Sequence, residues 1–395
     1  MNNKLLNPWP QFDEDEITAV SQILKSGKVN AWTGNETTLF QKEFADFCNV
    51  SHSIAMANGT LALWAAYQAI GLTKGDEIIT TPRSFIATAS TASLMGAKTI
   101  FADVDPNSGL ITPKTIAPLI TSRTKAISVV HLAGWPAEMT KISELAKHHG
   151  IAVIEDCAQA HGAGIYKKGH FKSVGSLGDI AAWSFCQDKI ITTGGEGGMV
   201  TTNDQTFWEK MWSIKDHGKA WDAVTKTNHP IGFRWLHENF GSNFRLTEMQ
   251  SAIGRKQLKR LNNWSAARER NALSLAKSLS SLTGLRIPLP SEDVKHAWYK
   301  FHVFVKPGSL LEGWSRDRII AEISASGYPV GSGSCSEVYL EKCFKDNDLS
   351  PKDRLPIAKN LGETSLMFLV HPTITSNQIS SYGEAIKRVL IKAQR

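Results

Sequence analysis

The chain has 395 residues, 42% hydrophobic and 21% charged, and its 44 Lys and Arg outweigh 37 Asp and Glu to leave a net charge of +7. That composition suits a globular protein of two or three domains and excludes collagen, coiled coil and intrinsic disorder. The charges are interspersed, with no run of five of one sign, so the mild positive balance suits an anionic small molecule better than nucleic acid.

Five cysteines (Cys48, Cys157, Cys186, Cys335, Cys343) are scattered without a CxxC pair, which supports neither a disulfide framework nor a zinc site. The opening Met1-Asn-Asn-Lys-Leu-Leu-Asn-Pro lacks the apolar core of a signal peptide. No stretch approaches the ~18 uninterrupted apolar residues of a membrane-spanning helix. The expectation is a reduced cytoplasmic protein with no metal, no membrane and no nucleic-acid partner.

From residue 52 to about 203, short apolar runs alternate with helical patterns. Strands are predicted over Ser53–Ala57, Glu77–Thr80, Thr99–Val104, Lys125–Leu132, Ala152–Glu155, Ile180–Phe185 and Met199–Thr202. Several are continuous Val/Ile/Ala stretches, as strands covered on both faces are. Between two of them, Glu138–His149 places Met139, Ile142, Leu145 and Ala146 on one helical face, with Gly150 placed to cap it. This alternation predicts an α/β fold with a largely parallel sheet and right-handed crossovers. Asp216 to Arg245, rich in Trp, His, Gly and Phe, lacks periodicity and reads as a long irregular loop of the functional or mobile kind. Leu246 to about Leu282 reads as one long helix or two. After a break near Gly284–Pro290, strands are predicted at Ala297–Val305 and Leu366–Val370 and helices at Arg316–Gly327 and Thr375–Ala393. The expected division is a large domain over 1–259 and a smaller α+β domain over 260–395.

Three segments could carry chemistry. In Ala57-Asn-Gly-Thr-Leu-Ala-Leu, Gly59 lets backbone approach a ligand and Thr60 sits at an opening helix, where free N–H groups favour phosphate; an ordinary helix cap explains the same residues. Ile154-Glu-Asp-Cys-Ala-Gln-Ala-His ends a buried strand. There Asp156 can neutralise a cationic heterocycle and Gln159 can donate to an oxygen on the same ring, while a salt-bridged strand end is the alternative. In Trp183-Ser-Phe-Cys-Gln-Asp-Lys-Ile-Ile-Thr-Thr-Gly-Gly-Glu-Gly-Gly, Lys189 follows a strand end and precedes a glycine-dense turn, with Ser184 within reach of a cofactor phosphate. Most lysines are solvated surface residues, but one beside a cofactor aldehyde can form a Schiff base with it. Together, cradle, carboxylate and lysine specify pyridoxal 5'-phosphate.

The segments NGTLAL, EDCAQAHGA, WSFCQDKIITTGGEGGMV and GSNFRLTEMQSAIG resemble the DegT/DnrJ-type sugar-nucleotide aminotransferases, nearly end to end. The resemblance implies the aspartate-aminotransferase fold (PLP fold type I) and a homodimer with shared active sites. It implies that Lys189 holds the cofactor aldehyde, Asp156 pairs with the ring nitrogen, Gln159 contacts the ring hydroxyl, Ser184 and Thr60 contact the phosphate, and Phe85 stacks on the ring. Asn243 would reach the neighbouring subunit's phosphate. Cys186-Gln-Asp stands where many relatives have His-Pro-Thr before the lysine, and Lys189 argues against a dehydratase branch that has histidine there. Lys215 to His237, with Ser332–Tyr339, is most similar to enzymes that aminate UDP-4-keto-6-deoxy-N-acetylglucosamine at C4.

The leading expectation is therefore transfer of an amino group from glutamate to a nucleotide-linked keto sugar, for lipopolysaccharide or other polysaccharide biosynthesis. The alternatives are a C3 aminotransferase acting on a keto sugar or sugar acid, another lysine-dependent pyridoxal enzyme such as a lyase, and a regulatory protein that binds the cofactor without turnover. A diphosphate needs cations, and His217, Lys219, Arg234 and Arg245 lie among Trp221, Phe233 and Trp235; they suit substrate binding, or anchor a long loop.

Overall fold

A computed structural model describes residues 5–226, 228–229 and 231–394; of the opening stretch, Met1 to Lys4 lie outside the described residues. The first half carries β1 (His52–Met56), β2 (Glu77–Thr80), β3 (Lys98–Phe101), β4 (Thr124–Val130), β5 (Ala152–Asp156), β6 (Gly164–Lys167), β7 (His170–Ser173), β8 (Ile180–Ser184) and β9 (Gly198–Thr202). Seven of these make one sheet in the order β1-β9-β8-β5-β4-β2-β3. It is parallel from β3 to β8, while β9 runs antiparallel between β8 and β1. Every residue of β2, β8 and β9 is buried, which is why these strands show no polar alternation.

The hairpin β6–β7 has no apolar periodicity to announce it. It turns through Lys168 and Gly169, both at positive φ, a backbone that two-residue hairpins favour and glycine adopts without strain. Two N-terminal helices also escaped the sequence pattern. Glu14–Ser26 opens on an Asp13/Glu16 capping box, and Glu36–Cys48 buries Phe40, Phe44 and Cys48 at a spacing of four.

The second half carries β10 (Leu285–Arg286), β11 (Val294–Lys295), β12 (Phe301–Val305) and β13 (Ser365–Phe368). β10, β12 and β13 form an antiparallel sheet whose core takes in the helices Arg316–Ala325 and Ser376–Ala393. β11 joins the β6–β7 hairpin instead. The position between 259 and 260 falls inside one unbroken helix, Glu248–Leu279. It starts at a Thr247/Gln250 capping box, tolerates Gly254 and meets no proline before Ser280. Leu258 and Leu261 pack beneath the large sheet, and Ala272, Leu275, Ala276 and Leu279 join the second core. Leu6 also belongs to that second core, so chain order and packing do not divide at one point. Among the described residues no helix is long and apolar enough to cross a membrane.

Candidate active site

Val130, Asp156 and Ala182 are neighbours in register across β4, β5 and β8. Three parallel strands therefore end at one edge, where open α/β sheets bind ligands. A cavity of about 1170 Å³ opens there. Its wall includes Gly59, Thr60, Phe85, Asp156, Gln159, Ser184 and Lys189, so residues spread over more than a hundred positions meet in one place.

The Asp156 carboxylate is buried. One oxygen accepts from the Thr88 hydroxyl at 2.7 Å and the other from the Ala158 N–H at 3.1 Å. Burial raises the carboxyl above its ordinary range, while Thr88, Ala158, Lys189 and His131 oppose that shift. A cation on a ligand ring would favour the charged carboxylate in the same way. Gln159 is oriented by its side-chain oxygen, which accepts the Ala133 N–H at 2.7 Å. Its –NH₂ is thereby the half that can donate to a ligand.

Asn58 caps the helix Gly59–Ala69, accepting the Leu61 N–H at 2.9 Å. The N–H groups of Gly59 and Thr60 belong to the first turn, which has no intrahelical acceptor. A Cβ on Gly59 would stand 2.7 Å from Cβ of Ser184, so only glycine lets helix and strand close to form this cradle. Phe85 forms another wall and is 68% exposed, so its ring is open to a ligand in the cavity.

Lys189 Nζ lies 3.6 Å from an Asp188 oxygen and 5.2 Å from the centre of the Tyr299 ring. The Tyr299 hydroxyl donates to the other Asp188 oxygen. Burial pushes the Asp188 carboxyl up, but Lys189 and Tyr299 outweigh it and hold the group below its ordinary range. Lys300 stands 4.7 Å from the same ring, and burial brings its ammonium down to about 8.

Beneath the floor, Glu155 accepts N–H bonds from Gly175, Leu177 and Gly178. His131 Nδ1 accepts from Ala137, so Nε2–H donates to Glu155 at 2.9 Å. His131, Glu155 and Cys157 bring possible metal ligands within reach of one another, but the first two are engaged in these bonds. Burial holds the Cys157 thiol well above its ordinary value. The pair ties two loops to the end of β5 and positions Asp156.

The remaining sequence candidates do not line this cavity in their own chain. Asp216, fully buried, gathers Arg245 at 2.8 Å, Lys219 at 3.1 Å and Lys215 at 3.7 Å, and accepts from the Trp32 indole N–H at 3.0 Å. Asn243 pairs with Asp216 through a β-bridge and is exposed. His217 and Arg234 are exposed. Sequence reasoning missed Thr88, Tyr299, Asp188 and Lys300. Thr88 alone had a local signal, three residues beyond Phe85 in the first turn of the helix Ala87–Leu94.

A lysine, a buried carboxylate, a donor amide and a glycine-built phosphate cradle, set at the C-terminal edge of this sheet, fit pyridoxal phosphate and define a fold type I pyridoxal-phosphate enzyme. The model of the DegT/DnrJ/EryC1/StrS aminotransferase family matches residues 10–387, and the chain belongs to that family. It is a pyridoxal-phosphate-dependent sugar aminotransferase. It is similar to the crystal structure of an aminotransferase from Psychrobacter cryohalolentis, with a TM-score of 0.95 and 52% identity over 98% of this chain and 99% of that one. It is 35% identical to the GDP-perosamine synthase of Caulobacter vibrioides over 97% of each chain. It is also 34% identical to the UDP-N-acetyl-3-dehydro-alpha-D-glucosamine 3-aminotransferase of Acidithiobacillus ferrooxidans, over 95% of this chain and 94% of that one.

Proposed function

We propose that the enzyme moves the amino group of glutamate to C4 of UDP-4-keto-6-deoxy-N-acetylglucosamine in the cytoplasm, for a lipopolysaccharide or other cell-surface glycan. The observation that carries the transfer is the meeting of Lys189, Asp156 and Gln159 in one cavity with room for cofactor and sugar. The C4 assignment rests on the sequence similarity of Lys215 to His237 and of Ser332–Tyr339, and part of the latter segment (Gly333, Ser334, Cys335, Val338) lines the same cavity. The 3-aminotransferase relative keeps C3 as the second reading. Mass spectrometry of products from a panel of 3-keto and 4-keto sugar nucleotides, with glutamate as donor, separates them. Amination confined to 3-keto substrates would remove the C4 assignment.

Pyridoxal phosphate, when bound, supplies an aldehyde that takes the amino group and a cationic ring that withdraws electrons. In this reading Asp156 keeps its charge against that ring nitrogen, held by Thr88 and Ala158. Gln159 donates to the ring hydroxyl, and Phe85 packs on the ring face. The Gly59 and Thr60 N–H groups with the Ser184 hydroxyl hold the phosphate. Lys189 would hold the cofactor and, once released from it, would carry a proton at its Nζ.

The same reading makes the enzyme a homodimer with shared sites. Ile231, Phe233, Trp235 and Phe240 are largely bare in the single chain, with Ile231 and Phe240 fully exposed, more apolar surface than one loop keeps in water. A second copy covering it would bring Asn243 to its neighbour's phosphate cradle and Arg234, Arg245, His217 and Lys219 towards the bound diphosphate. The part from 1 to 259 would carry the cofactor, and the part from 260 to 395 would close over it.

A further inference from the structure

Beside the main cavity lies a second and smaller one, with a volume of about 30 Å³. Arg83, Lys300, His302 and His296 line it, and no carboxylate does. Lys300 and His302 belong to the wall of both cavities. On and beside β12, these two residues are two positions apart and so share one face.

Arg83 is 1% exposed. One terminal nitrogen donates to Ser336 Oγ, while its Nε has no partner. His302 Nε2 is likewise buried without a partner. Arg286 stands near enough to act on Arg83, but its guanidinium covers the Phe304 ring at 4.3 Å and donates to Asn107 at 3.1 Å. Burial lowers the Arg83 guanidinium to about 10, so it stays cationic at neutral pH. Among the described residues only the Cys335 thiol acts favourably on this cation and no carboxylate faces it; a buried cation so poorly matched is destabilising in a resting protein. An arrangement of this kind fits a site that a ligand completes.

The size selects the ligand. At roughly 10–15 Å³ for each water-sized sphere, the cavity has room for the two oxygens of a carboxylate and not for a diphosphate. A guanidinium edge matches a carboxylate in plane, and a neutral histidine and an ammonium can donate beside it. The main cavity supplies the direction, because Lys189 and Lys300 both approach the Tyr299 ring. A small amine attacking the cofactor held at Lys189 can extend along Lys300 and His302 towards Arg83.

We propose that Arg83, with Lys300 and His302, receives a carboxylate of the amino donor and so selects an acidic amino acid as the source of nitrogen. This rests on glutamate being that donor. The probe is glutarate, a dicarboxylate that cannot donate an amino group, titrated calorimetrically into the holoenzyme. Arg83→Gln should weaken glutarate binding and raise the KM for glutamate in the donor half-reaction by roughly 10-fold or more, with Arg83→Lys between. The affinity for UDP should not move. On the wild type, chloride replacing methanesulfonate, which has no carboxylate, at constant ionic strength should compete with glutarate, a measurement that needs no variant to fold. Unchanged glutarate affinity in folded Arg83→Gln, equal loss of UDP affinity, or no competition by chloride would each overturn the proposal. A wild type that binds glutarate in competition with chloride but never takes the amino group of glutamate would overturn the donor assignment instead.

Discussion

The floor of the Lys189 cavity and the segment from Asp216 to Arg245 both concentrate polar residues, but they hold them in opposite ways. At the floor, Asp156, Gln159 and Glu155 are buried and fixed by hydroxyl and backbone donors on strands and tight turns. In the segment, apart from the short helix Trp221–Thr225, the backbone is irregular. One buried carboxylate, Asp216, gathers Lys215, Lys219 and Arg245, while Arg234 and four large apolar side chains face outward. The difference teaches that the floor is complete within one chain and preorganised for a single ligand. The segment is anchored at its root and unfinished at its tip, as a surface awaiting a second copy or a substrate is.

That contrast breaks first at Lys189. Lys189→Ala should lose transamination by on the order of 10⁴-fold or more, because nucleophile and proton carrier disappear together; normal turnover would remove the assignment. Asp156→Asn keeps the shape and removes the charge. It should cost roughly 10³-fold in rate with the fold intact by circular dichroism, and unchanged activity would mean that another residue holds the ring nitrogen. Thr88→Val removes one hydrogen bond to that charged group, worth about 1.5–3 kcal/mol, and should slow turnover by a factor of roughly ten to a hundred.

In the segment the effects should be smaller and divided between subunits. Mixing Lys189→Ala with Asn243→Ala protein should restore activity, since one heterodimeric site escapes both lesions. No recovery in exchanged dimers would place Asn243 in its own subunit's site. Arg234→Ala should raise the KM for the sugar nucleotide roughly 10-fold, about 1.4 kcal/mol, and disturb the glutamate half-reaction less than Arg245→Ala. Untouched sugar-nucleotide affinity would return the tip to a purely structural role.

The smallest effect concerns the root. Burial brings the Lys215 ammonium down to about 8 from its ordinary 10.5. Above the folded value the unfolded chain binds more protons, so this lysine adds stability as pH rises from 8 towards 10.5 and that gain is lost as pH falls back through 8. Denaturant melts at pH 7.5 and 10 should show the wild type gaining on Lys215→Met between those two pH values. A difference independent of pH would mean that Lys215 is not a buried charge.

Much of this was open to reading from the amino-acid order alone. Fully buried strands announce themselves as unbroken apolar runs, so the large sheet was placed to within a residue or two at most ends, and Glu77–Thr80 without error. Gly59, Thr60, Asp156, Gln159, Ser184 and Lys189, which meet in the cavity, stood out in the sequence only as a set, because each taken singly has an ordinary structural explanation. The hairpin β6–β7 was not legible, since most of its residues are exposed, so no buried face imposes a pattern, and its strands are short. The boundary near 260 was not, because a helix that serves two cores keeps one periodicity throughout. Packing between distant segments alone decided which side chains meet. Thr88 reaches Asp156 across 68 residues and Tyr299 reaches Asp188 across 111, and Arg83 faces His302 and Lys300 from the other half of the chain. Local order determines which residues can become strands, caps and candidate catalysts. Which of them share a wall follows from packing between distant segments, where no periodicity of sequence carries the information.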